Sequence, residues 1–172
     1  MTLDRDEAAI ALVDSNLHRE RILPSEKAFA YKMRLVAMNR QGQRSVTSSP
    51  LGTRLRSDEV LAQQTGDSRN QIHRYIRLTY LIKPLLDMVD GERIALRPAV
   101  ELSYLQAQEQ QDLLEAVSYV DATPSLAQAI KMKNLSRSAG LNADTILAIM
   151  CEKKPNQFEK ISFRMDHLRQ YV

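Results

Sequence analysis

The sequence contains few of the residues from which catalytic and metal-binding sites are built. Its three histidines, His18, His73 and His167, are scattered and lack the spacing of metal ligands. The sequence has no glycine-rich phosphate-binding loop and no Ser, His and Asp set typical of a hydrolase. Its single cysteine, Cys151, excludes an internal disulfide. We therefore expect a protein that is not an enzyme and has no metal site.

Long apolar runs are also missing. No stretch approaches the length of a membrane span, and the N-terminal residues MTLDRDEAAIALV carry acids where a secretory signal peptide needs bases. These absences predict a cytoplasmic protein without a membrane partner. In that reducing setting Cys151, which lies in the apolar run LAIMC, is expected to be a small core residue rather than a nucleophile.

The abundant residues favour helices. Leu, Ala, Gln, Glu and Arg are plentiful, whereas aromatic residues make up 5% of the chain and glycines number five. The sequence predicts an all-α, multi-helix bundle containing a helix-turn-helix, with FEKISF near the C-terminus as a candidate short strand. Outside the central motif, the predicted helices cover roughly residues 4–16, 24–41 (ended by Gly42), 84–90 (ended by Gly91), 97–105, 108–120, 124–135 (capped by Thr123) and 142–150.

The rest of the chain is organised around the central stretch 57–81, which reads as two short helices joined by a tight turn. Gly66 can adopt the left-handed conformation that ends a helix, and Ser68 can cap the next one. A helix-turn-helix needs a small residue where its helices cross, a glycine in the turn and an apolar residue facing the first helix. Ala62, Gly66 and Ile72 occupy these three positions.

The outward face of the second helix carries side chains suited to DNA. Asn and Gln pair bidentately with adenine, and Arg with guanine, at major-groove edges. Their clustering at the start of this helix favours DNA over the alternative, a helical hairpin with a solvated polar face. The predicted DNA-binding residues are Ser68, Arg69, Asn70, Gln71, His73, Arg74 and Arg77.

A basic segment precedes this motif. The net charge of +3 is only mildly basic and does not by itself indicate nucleic acid. Two interpretations are equally supported, a surface that faces phosphates and an ordinary solvated helix face. The basic residues of the segment are Arg19, Arg21, Lys27, Lys32, Arg34, Arg40 and Arg44.

Three stretches occur in an order that resembles a known family. NLHRERILPSEKAFAY precedes the motif, LAQQTGDSRNQIHRYIRLTYL contains it and GERIALRPAVELSYLQAQEQQDLLEAV follows it. Together they resemble ParB-type chromosome or plasmid partition proteins: the end of that family's N-terminal domain, its helix-turn-helix and the helices beyond. The resemblance covers most of the chain up to about Leu135. After Leu141 a weaker resemblance continues, to the tails of ParB-like proteins of mobile elements.

The resemblance implies an incomplete nucleotide site. The family's N-terminal domain normally binds CTP through an upstream Gly-Glu-Arg-Arg box and a Glu-Asn-Leu-Gln-Arg box. Here the second box is represented by SNLHR at residues 15–19, with Ser and His in place of Glu and Gln. The sequence GER at residues 91–93 follows the helix-turn-helix and does not replace the first box. We therefore expect a fragment or shortened relative that binds no CTP and needs no cofactor.

The sequence thus predicts a protein that binds double-stranded DNA as a ParB-like partition or replicon-maintenance factor, associated with the nucleoid or a plasmid. A transcriptional repressor is the alternative, and a helical protein-interaction adaptor is the alternative of another class. The predicted regions are residues 1–45, linking helices left from the N-terminal domain; 46–138, the DNA-binding domain; and 139–172, a helical tail. A ParA-type ATPase is a candidate partner. The tail either forms a homodimer or packs on its own helices.

Overall fold

The computed structural model describes residues 22–44 and 57–152, without the side chains of residues 41–44. Within these ranges the chain forms eight helices and no strand, so the predicted all-α fold is confirmed. None of these helices is both long and apolar enough to cross a membrane. The helices are α1 (Pro24–Arg44), α2 (Ser57–Thr65), α3 (Arg69–Leu78), α4 (Lys83–Asp90), α5 (Leu96–Leu102), α6 (Ala107–Val120), α7 (Leu126–Arg137) and α8 (Ala143–Cys151).

The apolar side chains form two cores of different size. The large core joins the end of α3 to α4 through α8 and includes one residue of α1, Ala28. The small core consists of Tyr31 from α1, Leu61 from α2 and Ile72 from α3, all of which are almost completely buried. Tyr75 packs against both cores. The first three helices are therefore held together locally and are attached to the bundle by the start of α1 and the end of α3.

Two buried glutamines fix the connections between helices. The side chain of Gln110 accepts a hydrogen bond from the Ile82 amide at 2.8 Å and donates to the carbonyls of Tyr80 and Leu105 at 3.1 and 3.0 Å. Gln128 donates to the carbonyl of Ile149 at 2.7 Å. Because buried polar groups are costly when unpaired, these bonds set the turn after α3 and the contact between α7 and α8.

Most helix boundaries follow the predicted signals. Gly91 ends α4, and Asn142 caps α8 by accepting a hydrogen bond from the Thr145 amide at 2.9 Å. Helix α6 begins one residue before its predicted start, at Ala107, and α5 begins at Leu96. The predicted starts of α5 and α6 are thus correct to within a residue, whereas α5 ends at Leu102, before its predicted end at residue 105.

Two of the predicted helix-boundary signals are wrong. Helix α1 continues past Gly42 to Arg44, because one glycine costs a helix only about 1 kcal/mol. Ser125 caps α7, in a reciprocal capping box with Gln128, while Thr123 instead donates to the carbonyl of Arg93.

Cys151 is exposed rather than buried. It is the last residue of α8, whose inward positions are occupied by Ile146, Ile149 and Met150. The apolar run LAIMC therefore predicted a buried segment but did not indicate which of its residues face the core. The predicted helix at residues 4–16 and residues 153–172 of the tail, which include the predicted strand FEKISF, lie outside the described residues.

The turn between α2 and α3 yields a first prediction. Gly66 has a φ of +74°, and a Cβ built there would meet no atom within 4 Å. A side chain would therefore be penalised by backbone strain and not by a clash. We expect Gly66→Val to lower the free energy of unfolding by about 1–3 kcal/mol, measured by urea denaturation.

Gly66→Asn is the matched control, because Asn tolerates the left-handed region better than a β-branched residue. Equal stability of the Val and Asn variants would contradict this conformational role of Gly66.

Candidate nucleic-acid interface

The two helices and tight turn predicted at the centre of the chain are present. Helices α2 and α3 are joined by residues 66–68, and Ser68 caps α3 by accepting a hydrogen bond from the Gln71 amide at 3.2 Å. Leu61 and Ile72 meet in the small core, and Ala62 packs beside them. The apolar side of α3 is thus inward, and its polar side faces solvent.

Three of the predicted DNA-binding residues lie on that solvent side. Asn70 and Arg74 are exposed and Gln71 is half-buried. In the part of the chain that the structure describes, none of these side chains has a hydrogen-bond or ion-pair partner. All three lie within the first two turns of α3, so the side-chain amides of Asn70 and Gln71 and the guanidinium of Arg74 face solvent close together.

Arg69 and His73 are held by a carboxylate of the preceding helix. Asp58 is buried in the first turn of α2, and its Oδ2 accepts from Arg69 Nε at 3.0 Å. The same oxygen lies 3.3 Å from His73 Nε2. Arg69 Nη1 also donates to Glu59 at 3.1 Å. These contacts tie α3 to α2 on the side next to the turn.

Arg77 serves the fold at the other end of α3. Its Nε and Nη2 donate to the hydroxyl and carbonyl oxygens of Ser103 at 3.1 and 2.6 Å. Its guanidinium lies 3.8 Å from the centre of the Tyr104 ring and 4.5 Å from that of Tyr80. Arg77 therefore connects α3 to the turn after α5.

The basic residues of α1 are used mainly inside the molecule. Lys27 pairs with Asp67 at 2.6 Å, and the buried Arg34 donates to Gln64 at 2.7 Å. Lys32 donates to the Thr79 hydroxyl at 3.1 Å. These three residues therefore form neither a surface that faces phosphates nor an ordinary solvated helix face. They connect α1 to α2, to the end of α3 and to the turn between α2 and α3.

Asp67 in the turn is the centre of the α1 contact. The Tyr31 hydroxyl donates to Asp67 Oδ2 at 2.5 Å, and the Tyr31 and Tyr75 rings meet edge to face with centroids 6.0 Å apart. Burial alone raises the pKa of the Asp67 carboxyl, but hydrogen bonds from Lys27 and Tyr31 and the charge of Lys27 outweigh it, so this pKa lies below its usual value. Burial, together with the bond to Asp67, raises the pKa of the Tyr31 hydroxyl.

The residues that position the site were not singled out in the sequence. Asp58, Tyr31 and Asp67 carry these contacts but belong to no recognisable motif. The spacing of Arg69 and His73, four residues apart on one helix face, was a usable signal, because such a pair can share one carboxylate. In the described ranges, no group of three or more His, Cys, Asp or Glu side chains could hold a metal ion.

The lowered pKa of Asp67 makes the contact with α1 pH-dependent. A carboxyl whose pKa is lower in the folded state stabilises that state above its unfolded pKa of about 3.9 and ceases to do so as pH falls through its folded pKa. We expect Asp67→Asn to lower the free energy of unfolding by about 1–2 kcal/mol at pH 7, with the difference from wild type shrinking below about pH 4.

Urea denaturation at a series of pH values measures this difference, and Asp87→Asn is the control, since Asp87 forms an exposed pair within α4. If the free energies of unfolding of wild type and Asp67→Asn differ by the same amount at pH 7 and in acid, the stabilising role of the charged Asp67 carboxylate is contradicted.

Arg77 and Arg74 lie one turn apart on α3, but their replacement by alanine is expected to change the free energy of unfolding by different amounts. Arg77→Ala leaves the buried carbonyl of Ser103 without its donor, so we expect a decrease of about 1–3 kcal/mol in the free energy of unfolding. Arg74→Ala removes an outward side chain and should change it by less than about 0.5 kcal/mol. Thermal denaturation of both variants tests this, and equal melting temperatures would show that the Ser103 contact contributes little.

Two nucleoid occlusion proteins illustrate what the chain is similar to. The protein of Listeria monocytogenes serotype 4a (strain HCC23) is 34% identical over 113 residues, which are 66% of this chain and 33% of that protein. The protein of Listeria innocua serovar 6a is 34% identical over 108 residues, 63% of this chain and 32% of that protein. The chain thus spans about a third of the length of the curated relatives it matches.

No family model and no solved structure matches the sequence. The similarity to the nucleoid occlusion proteins nevertheless covers about two thirds of the chain. Nucleoid occlusion proteins are members of the ParB family. The predicted resemblance is therefore confirmed, because about two thirds of the chain is similar to members of the ParB family.

Proposed function

We propose that this chain binds double-stranded DNA in a sequence-specific manner through α2, the turn and α3, as a ParB-like partition or replicon-maintenance factor. The observation that carries the proposal is the set of outward side chains on the first two turns of α3. Asn70, Gln71 and Arg74 have no described intramolecular partner, so their hydrogen-bonding groups are available to a ligand. They are residue types that pair with base edges in the major groove.

The intramolecular contacts divide the seven predicted residues into separate roles. Asn70, Gln71 and Arg74 are assigned to base edges. Ser68 is the cap that starts the helix. Arg69, His73 and Arg77 hold the helix in place, and their remaining exposed surface is assigned to backbone phosphates, which position a protein on DNA without reading sequence.

The names of the similar proteins support a chromosome-associated role. Proteins named for nucleoid occlusion match 66% of this chain, and we propose the same setting, the nucleoid or a plasmid, for it. The division into regions 1–45, 46–138 and 139–172, a homodimer and a ParA-type ATPase as partner are further parts of the proposal. A dimer agrees with the general use of paired half-sites by helix-turn-helix proteins.

Selection of bound duplexes from a random pool tests the proposal directly. We expect one recurring sequence, and no enrichment of any sequence would contradict sequence-specific binding. On the selected duplex, Gln71→Ala or Arg74→Ala should each weaken binding by about 1–3 kcal/mol and relax the preference at one base position.

Gln111→Ala is the control for these variants, because Gln111 is exposed on α6 and should leave binding unchanged. Variants of Gln71 or Arg74 that melt several degrees lower yet bind as wild type would show that this face of α3 is structural.

A further inference from the structure

A cluster of tyrosines and cations lies beyond the C-terminal end of α3. Tyr80 follows α3 and is 54% exposed, and Tyr104 lies in the turn after α5 and is 44% exposed. The tyrosine–cation patch consists of Lys32, Arg77, Tyr80, Tyr104, Lys133 and Arg137.

The rings of Tyr80 and Tyr104 contact cations from separate parts of the chain. Arg77 lies against both rings, at 3.8 Å from the centre of Tyr104 and 4.5 Å from that of Tyr80. Lys32 Nζ of α1 lies 4.9 Å from the centre of the Tyr80 ring. Arg137, in the last turn of α7, lies 5.7 Å from the centre of the Tyr104 ring. Cation–π attraction holds these charges near one another although they repel.

The patch carries an excess of positive charge. Lys133 is neutralised by an ion pair with Glu101. Among the described residues, no carboxylate pairs with Lys32, Arg77 or Arg137. Three uncompensated cations, together with two tyrosine hydroxyls, form a surface suited to an extended anion.

We propose that the tyrosine–cation patch is a second DNA contact, which binds backbone phosphates of the duplex whose bases α3 reads. This inference rests on the proposed function. Arg77 lies seven residues after Asn70, which at 1.5 Å per residue is about 10 Å along the helix. The major groove is about 12 Å wide, so a patch at the end of α3 falls on a strand that borders the groove.

Arg137 is the residue through which the proposal is tested. Within the described chain, its guanidinium contacts the Tyr104 ring and has no hydrogen-bond partner, so its removal should leave the fold intact. Removing one interaction with a DNA phosphate makes the plot of log affinity against log salt concentration shallower by about one unit. We expect Arg137→Ala to produce that change, and to weaken binding to the selected duplex and to a scrambled duplex of equal length by the same factor.

Two variants complete the experiment, and fluorescence anisotropy on both duplexes over a range of salt concentrations measures all of them. Arg137→Lys keeps the charge and should restore the wild-type slope. Lys131→Ala is the matched control, because Lys131 lies on the same helix but pairs with Glu152, and it should keep the wild-type slope.

The possible outcomes separate the inference from the proposed function. A wild-type slope in Arg137→Ala, whether or not its affinity falls, would overturn the phosphate contact while leaving the role of α3 intact. A wild-type protein whose binding to either duplex shows no salt dependence, or no binding at low salt, would overturn the proposed function and the inference with it.

Discussion

The packing of Tyr31, Leu61 and Ile72 is the interaction on which the proposed DNA-binding face depends. Burying each of these side chains contributes about 1.5–3 kcal/mol, which is modest for a unit that must present a rigid helix. Polar contacts supplement this small core. Tyr31 belongs both to the core and to the hydrogen bond with Asp67, so α1 supports the turn through apolar and charged contacts at once.

The use of cations inside the molecule has a consequence for recognition. Arg69 is fixed by Asp58 and Glu59, and Arg77 by Ser103, so both ends of α3 are restrained before any ligand arrives. A restrained helix loses less conformational freedom on binding, which leaves more of the interaction energy for affinity. The side chains between these two anchors then remain available for base contacts.

The sequence predicts the helices better than it predicts the partners of their side chains. Glycine, proline and capping residues act within a few positions, so Gly66, Gly91 and Asn142 identify helix ends from local patterns alone. The partners of Arg69, Lys27 and Arg77 come from other elements of the fold, and for Lys27 and Arg77 they lie far away in the sequence. A count of polar side chains on one helix face therefore identified the candidate interface but could not separate residues that hold α3 from those that face outward.

Arg77 links the two surfaces proposed for DNA. It ends the polar face of α3 and lies between the two rings of the tyrosine–cation patch. The side chains proposed to read bases and the cations proposed to face phosphates are therefore connected through one restrained residue. Phosphate contacts fix register and orientation, and base contacts select the sequence. Because Arg77 connects the patch to the helix that carries Asn70, Gln71 and Arg74, the proposed phosphate contacts would set the register in which these three side chains meet base edges. In the proposed complex, specificity comes from these three side chains, and a larger share of the affinity comes from the surrounding charges.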